Sequence, residues 1–115
     1  MPDNVLVLIK SNPIESHRPV EAIRIALGLI SGEHAVTIVL MNRAPLLLAE
    51  DAEDLVDGDI LQKYLPAFKE LGQTFHVEEN SLKRAGLNQT DYKVEAVSYD
   101  GINELMQQAE RFFIF

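Results

Sequence analysis

The 115-residue chain contains no cysteine. That absence excludes disulfides, thiolate metal ligation, iron–sulfur clusters and any reaction in which a thiol of this chain is the nucleophile; it leaves the redox compartment open. Basic residues are scarce as well. Ten Lys and Arg stand against eighteen Asp and Glu, a formal charge of −8, so the long-range field repels phosphate backbones and anionic lipid surfaces. Direct binding to nucleic acid or to a membrane is not expected. The apolar run at residues 5–9 is far too short for a membrane span or a secretory core and follows no basic segment, which points to the cytoplasm. There is no GxGxxG, no Walker lysine and no GxSxG, so neither a nucleotide site of known type nor a nucleophile elbow is supported. Repeats and low-complexity tracts are also missing.

What is present reads as one α/β domain over residues 1–115. Residues 5–9, VLVLI, form a continuous apolar run rich in β-branched side chains, the pattern of a strand buried on both faces. Pro19 suits a first helical turn, and residues 20–30 are apolar except for a narrow stripe of Glu21, Arg24 and Gly28. Gly32 ends this helix and AVTIVLM, residues 35–41, makes a second buried strand. Strand, helix and strand within about forty residues make a βαβ unit and imply a parallel sheet.

Pro45 and the triplet Leu46, Leu47, Leu48 suggest a helical turn ahead of the acidic residues 50–59. Gly58 there invites comparison with a calcium loop, but Leu55 stands where an acid is required, so a solvated loop is the better reading. Ile60, Leu61, Tyr64, Leu65, Phe68 and Leu71 recur at helical spacing, and Pro66 predicts a kink or two short pieces. QTFHV is a weak third strand. A short helix capped by Asn80 or Ser81 then runs to Ala85 and stops at Gly86. After a loop at NQTDY, residues 93–99 alternate as a fourth strand, Asp100 caps a helix with Ile102, Leu105, Met106 and Ala109 on its apolar stripe, and RFFIF forms a fifth strand.

Five strands alternating with helices predict a three-layer α/β/α domain with a mainly parallel five-stranded sheet. Its working edge is where the strands' carboxyl ends meet the helix starts, and residues 11–18, 42–45 and 76–81 gather there. Ser11, Asn12, Ser16, His17 and Arg18 at the first helix start are candidate contacts for an anion or a partner. His76 and Glu79 are candidates from the third strand's end. His17 and His76, with Glu15, Glu78 or Glu79, have the right atoms for a nitrogen and oxygen metal site, but no pair shows i, i+4 spacing; no metal and no cofactor are expected. Adjacent Ser16 and His17 do not make a nucleophile pair, and a hydrolase or lyase using His17, His76 and Glu78 is the least supported reading.

The segments ILQKYLPAFKELG, SLKRAGL and YKVEAVSYDGINEL, with the aromatic final strand, resemble the DsrE/DsrF-like sulfur-relay proteins, most closely the DsrF or TusC type. The resemblance covers nearly the whole chain and implies a small flavodoxin-like domain that assembles into oligomers, often hexamers of related subunits. In that family a cysteine accepts sulfur as a persulfide and passes it on. Aligned on SLKRAGL, the cysteine position falls on Glu78, which can supply a negative charge at a helix start but cannot carry sulfur. The resemblance with the thiol missing implies a non-catalytic subunit or scaffold, assembled with itself or with cysteine-bearing relatives. The alternative is a small-anion or metabolite-binding module using the loop of residues 11–18.

Overall fold

The computed structural model describes residues 4–49, 52–87 and 90–115. Its strands are β1 (Asn4–Ile9), β2 (Ala35–Leu40), β3 (Thr74–Glu78), β4 (Lys93–Val97) and β5 (Arg111–Ile114). Between them lie α1 (Arg18–Ser31), α2 (Gly58–Glu70), α3 (Glu79–Ala85) and α4 (Tyr99–Gln108), with 3-10 turns at Ala44–Leu48 and Ala52–Asp54. All strand pairs are parallel, in the order β4-β3-β2-β1-β5. The expected three-layer α/β fold with a five-stranded sheet is what the chain adopts.

Strand order explains which face each helix takes. From β1 to β4 the chain steps across the sheet in one direction, so right-handed crossovers put α1, α2 and α3 on one face. The connection from β4 to β5 runs back the other way, and the same hand puts α4 on the opposite face. Alternation then sorts the strand side chains. Val7, Ile9, Ile38, Leu40, Phe75 and Val77 join α1, α2 and the first 3-10 turn in the main core. Leu6, Leu8 and Val39 meet Ile102 of α4 in a smaller one. Among the described residues no helix is long and apolar enough to cross a membrane.

Several local features depart from the pattern-based expectations. Pro66 sits inside one continuous helix, Gly58–Glu70, rather than dividing it into two pieces; the proline is exposed, so the carbonyl it cannot serve lies toward the solvent side. Gly32 caps α1 at an ordinary φ of −82°, and the left-handed residue is Glu33, at φ 69°. The His34 amide then donates to Leu29 O at 3.1 Å, closing the helix end. Ser98, not Asp100, caps α4, its Oγ accepting from the Gly101 amide at 3.0 Å. Glu50 and Asp51 of the acidic segment, and Asn88 and Gln89 of the loop before β4, lie outside the described residues.

Tyr92, just before β4, packs edge-on against Phe75 with ring centroids 5.9 Å apart. Burial, and then the charge of Asp91 beside it, raise its hydroxyl pKa above the ordinary 10.0. The folded protein therefore favours the neutral phenol. Its contribution to stability is complete below the unfolded value of 10.0 and is lost as pH rises through the raised folded value. Urea denaturation between about pH 8 and pH 11.5 should show Tyr92→Phe with a shallower alkaline decline than the wild type.

Candidate functional site

The carboxyl edge of the sheet is built from three segments, and hydrogen bonds stitch them together. At the end of β1 the Lys10 and Ser11 amides donate to Phe115 O at 2.8 and 3.2 Å, tying the first loop to the β5 end. Two of the loop's polar side chains are spent on its own backbone. Asn12 Oδ1 accepts from the Ile14 amide at 3.0 Å, and Ser16 Oγ accepts from the Arg18 amide at 3.1 Å. Arg18 reaches across to donate to Ile114 O at 3.3 Å, its guanidinium 5.8 Å from the Phe115 ring centroid. His17 precedes α1 as an exposed N-cap residue whose side chain makes no capping bond. This loop is a clamp joining β1, α1 and β5.

His76 is placed differently from its neighbours in sequence. It lies within β3, paired with Glu95 of β4, on the face opposite Phe75 and Val77. Its Nδ1 is buried without a hydrogen-bond partner, 3.9 Å from Glu95 Oε2. Because α1 packs on the Phe75 face, His17 and His76 belong to opposite sides of the sheet and are not brought together. Among the described residues there is no group of three or more His, Cys, Asp or Glu able to hold a metal ion.

Glu78 occupies the junction. It is the last residue of β3 and the N-cap of α3, fully buried at 0% exposure. No loop intervenes, so the backbone turns from extended to helical within one residue, and this carboxylate caps the helix in place of the expected Asn80 or Ser81. One oxygen accepts from the Asn80 amide; the other accepts from Ser81 Oγ at 3.1 Å. Ser81 is also fully buried. Its oxygen in turn accepts from the Asn42 amide at 2.8 Å and from Arg84 Nη2 at 3.4 Å. Asn42 adopts a left-handed φ of 58°, a conformation asparagine tolerates well, and its Nδ2 donates to Lys10 O at 3.4 Å. Glu79, by contrast, is an exposed first residue of α3.

The resulting network runs from Glu78 through Ser81 to Asn42 and Arg84, joining β3, α3 and the loop after β2. The sequence pattern brings residues 42–45 and 76–81 to this edge and reaches Glu78, but it does not show Asn42, Ser81 and Arg84 joined in one network. The available signal was an Asn immediately beyond a buried strand, where a sharp turn needs a left-handed residue. A buried carboxylate held by two donors at a helix start stabilises structure. At 0% exposure it is closed off from solvent.

A parallel α/β domain that collects its loops beyond the strand ends, with a capping carboxylate at the start of the short third helix, is the class of protein this fold and site define. The chain belongs to the DsrE/DsrF-like family, whose model matches residues 3–115. Among solved structures, the crystal structure of the YchN protein from E. coli is similar, with a TM-score of 0.81 over 100% of both chains at 14% identity; that likeness shows the fold. No functionally curated protein matches the chain.

Proposed function

We propose that this chain is a non-catalytic, cysteine-free subunit or oligomeric scaffold in intracellular sulfur transfer, assembling with itself or with cysteine-bearing relatives. Family membership supplies the sulfur-relay association. The observation that carries the non-catalytic part is Glu78: at the position where the resemblance puts the sulfur-accepting thiol, a fully buried carboxylate caps α3. In a chain without cysteine, transfer through a persulfide requires a thiol from another polypeptide.

The oligomeric part is supported by β5. It pairs with β1 on one side only, and Phe112, Phe113 and Ile114 are 50%, 44% and 42% exposed. Three consecutive apolar residues on an open edge strand make a surface that a neighbouring subunit would cover. Incubating the purified chain with a sulfane donor carrying labelled sulfur should leave no label on it. Native mass spectrometry should show an oligomer, and Phe113→Asp should shift it toward monomer by placing a charge in the interface. Monomer alone, with no affinity for cysteine-bearing relatives, would remove the scaffold reading, and a covalent sulfane adduct would remove the non-catalytic one.

A further inference from the structure

A second feature of the carboxyl edge is independent of sulfur transfer. Between the 3-10 turn Ala44–Leu48 and the end of α3 lies a cavity of about 340 Å³ lined by Asn42, Arg43, Leu46, Arg84 and Ala85. Two guanidinium groups border this small hollow, and neither has an ion-pair partner among the described residues. The lining holds no carboxylate, which leaves both groups available to an external anion. Arg24, for comparison, is paired with Glu21 one helical turn away.

The hollow is also built to stay in place. Asn42, in its left-handed turn, is fastened to Ser81 through its amide, which sets the direction in which Arg43 leaves the β2 strand. Arg84 is anchored to the same Ser81 oxygen by one Nη2 contact, and a guanidinium has five N–H donors, so most of its fork is left for another acceptor. Behind them, the Glu78 carboxylate is fully buried and already engaged by Asn80 and Ser81, and it forms no ion pair with either arginine. Leu46 and Ala85 supply a partly buried apolar floor.

We infer that this hollow is a binding site for a small tetrahedral oxyanion, held between the guanidinium groups of Arg43 and Arg84. Two positive groups lining one concavity repel one another, and a shared anion relieves that repulsion while forming charge-assisted hydrogen bonds. The shape of the anion follows from the number of forks. A carboxylate presents one planar two-oxygen edge and can meet only one guanidinium fork-to-fork, leaving the second a single off-axis contact; a tetrahedral oxyanion presents several such edges and can meet both forks. The volume lies at the small end of ligand pockets, about 300–1,000 Å³, and the net charge of −8 disfavours a nucleic-acid phosphate as the source. The ligand is therefore a free sulfate-like or phosphate-like group, or a small metabolite carrying one.

The test is a titration of the isotopically labelled chain with sulfate, phosphate and acetate at constant ionic strength, followed by amide NMR. Sulfate or phosphate should give saturable shifts at residues 42–46 and 84–87 with a Kd below about 1 mM, and acetate should give at least tenfold weaker binding. The sulfate and phosphate arms distinguish the two sources of the oxyanion. Arg43→Gln and Arg84→Gln should each weaken binding about tenfold or more, whereas Arg24→Gln should bind as the wild type does. Arg43 makes no hydrogen bond to the core network, so its variant decides the matter even if Arg84→Gln proves unstable. Absence of saturable shifts, shifts confined to another part of the surface, equal binding of acetate, or wild-type affinity in Arg43→Gln would overturn the assignment. None of these outcomes depends on whether the chain accepts sulfur.

Discussion

Glu78→Ala is expected to lower the unfolding free energy by about 2–4 kcal/mol, more than an ordinary cap replacement. Losing a helix N-cap costs about 0.5–2 kcal/mol, and here the same truncation also deprives the buried Ser81 hydroxyl of its acceptor, at about 1–3 kcal/mol for a buried polar group left unsatisfied. Both losses fall at a site with 0% exposure, where water cannot replace the missing oxygen. Glu78→Gln keeps one acceptor for the Asn80 amide and is expected to lose only about 1 kcal/mol. Urea denaturation followed by circular dichroism measures both. A Glu78→Ala protein within about 0.5 kcal/mol of the wild type would mean that the carboxylate does not hold α3, and the structural account of this position would fail.

The consequence reaches beyond one helix. Ser81 anchors both Asn42 and Arg84, so loosening Glu78 should also disturb the loop after β2 and the two arginines beside it. Amide shifts in residues 41–46 of Glu78→Ala would register that coupling.

Phe75→Ala should cost about 3–5 kcal/mol, the range for truncating a buried aromatic side chain. Phe75 is fully buried in β3, between β2 and β4. Its ring is 5.6 Å from that of Phe68 in α2, tilted by 52°, and 5.9 Å from Tyr92 in an edge-on contact. Removing it leaves a cavity at the point where helix, central strand and edge strand meet. For a domain whose total stability is typically about 5–15 kcal/mol, that is a large share. Phe75→Leu, which retains most of the volume, should cost about 1.5 kcal/mol or less. A shift of the urea midpoint for Phe75→Ala no larger than that for Phe75→Leu would show that this aromatic cluster is not a centre of the core.

How much of this could be read in the chain follows from the range of the interactions involved. The β1 and β2 runs announce themselves because a strand covered on both faces has no polar side to interrupt it. The apolar stripes of α1, α2 and α4 are equally direct, each being set by helical spacing along a single segment. Pro66 misled because a proline rule concerns the backbone locally, while the exposed side of a well-packed helix can leave one carbonyl to solvent. The cap of α3 misled for a related reason: Asn80 and Ser81 are better intrinsic caps than glutamate, but the abrupt junction of β3 with α3 puts the Glu78 side chain within reach of the free amides.

The candidate site was legible only as a list of segments. Its polar residues in the first loop, Ser16 and Asn12, are occupied by neighbouring amides, whereas Arg43 and Arg84, forty-one positions apart in the chain, line one hollow. Nothing local to either arginine signals the other.

By itself the amino-acid order determined the alternation of strand and helix, the buried strands, the absence of any thiol and the excess of negative charge, because each depends on side-chain identity or on periodicity within one segment. Only the tertiary structure decided that β5 lies beside β1, that α4 covers the second face, that Glu78 is sealed into a cap, and that two arginines with no ion pair among the described residues line one concavity. Those outcomes depend on strand order, crossover hand and the meeting of distant loops, which arise when the sheet closes and have no counterpart in the spacing of residues along the chain.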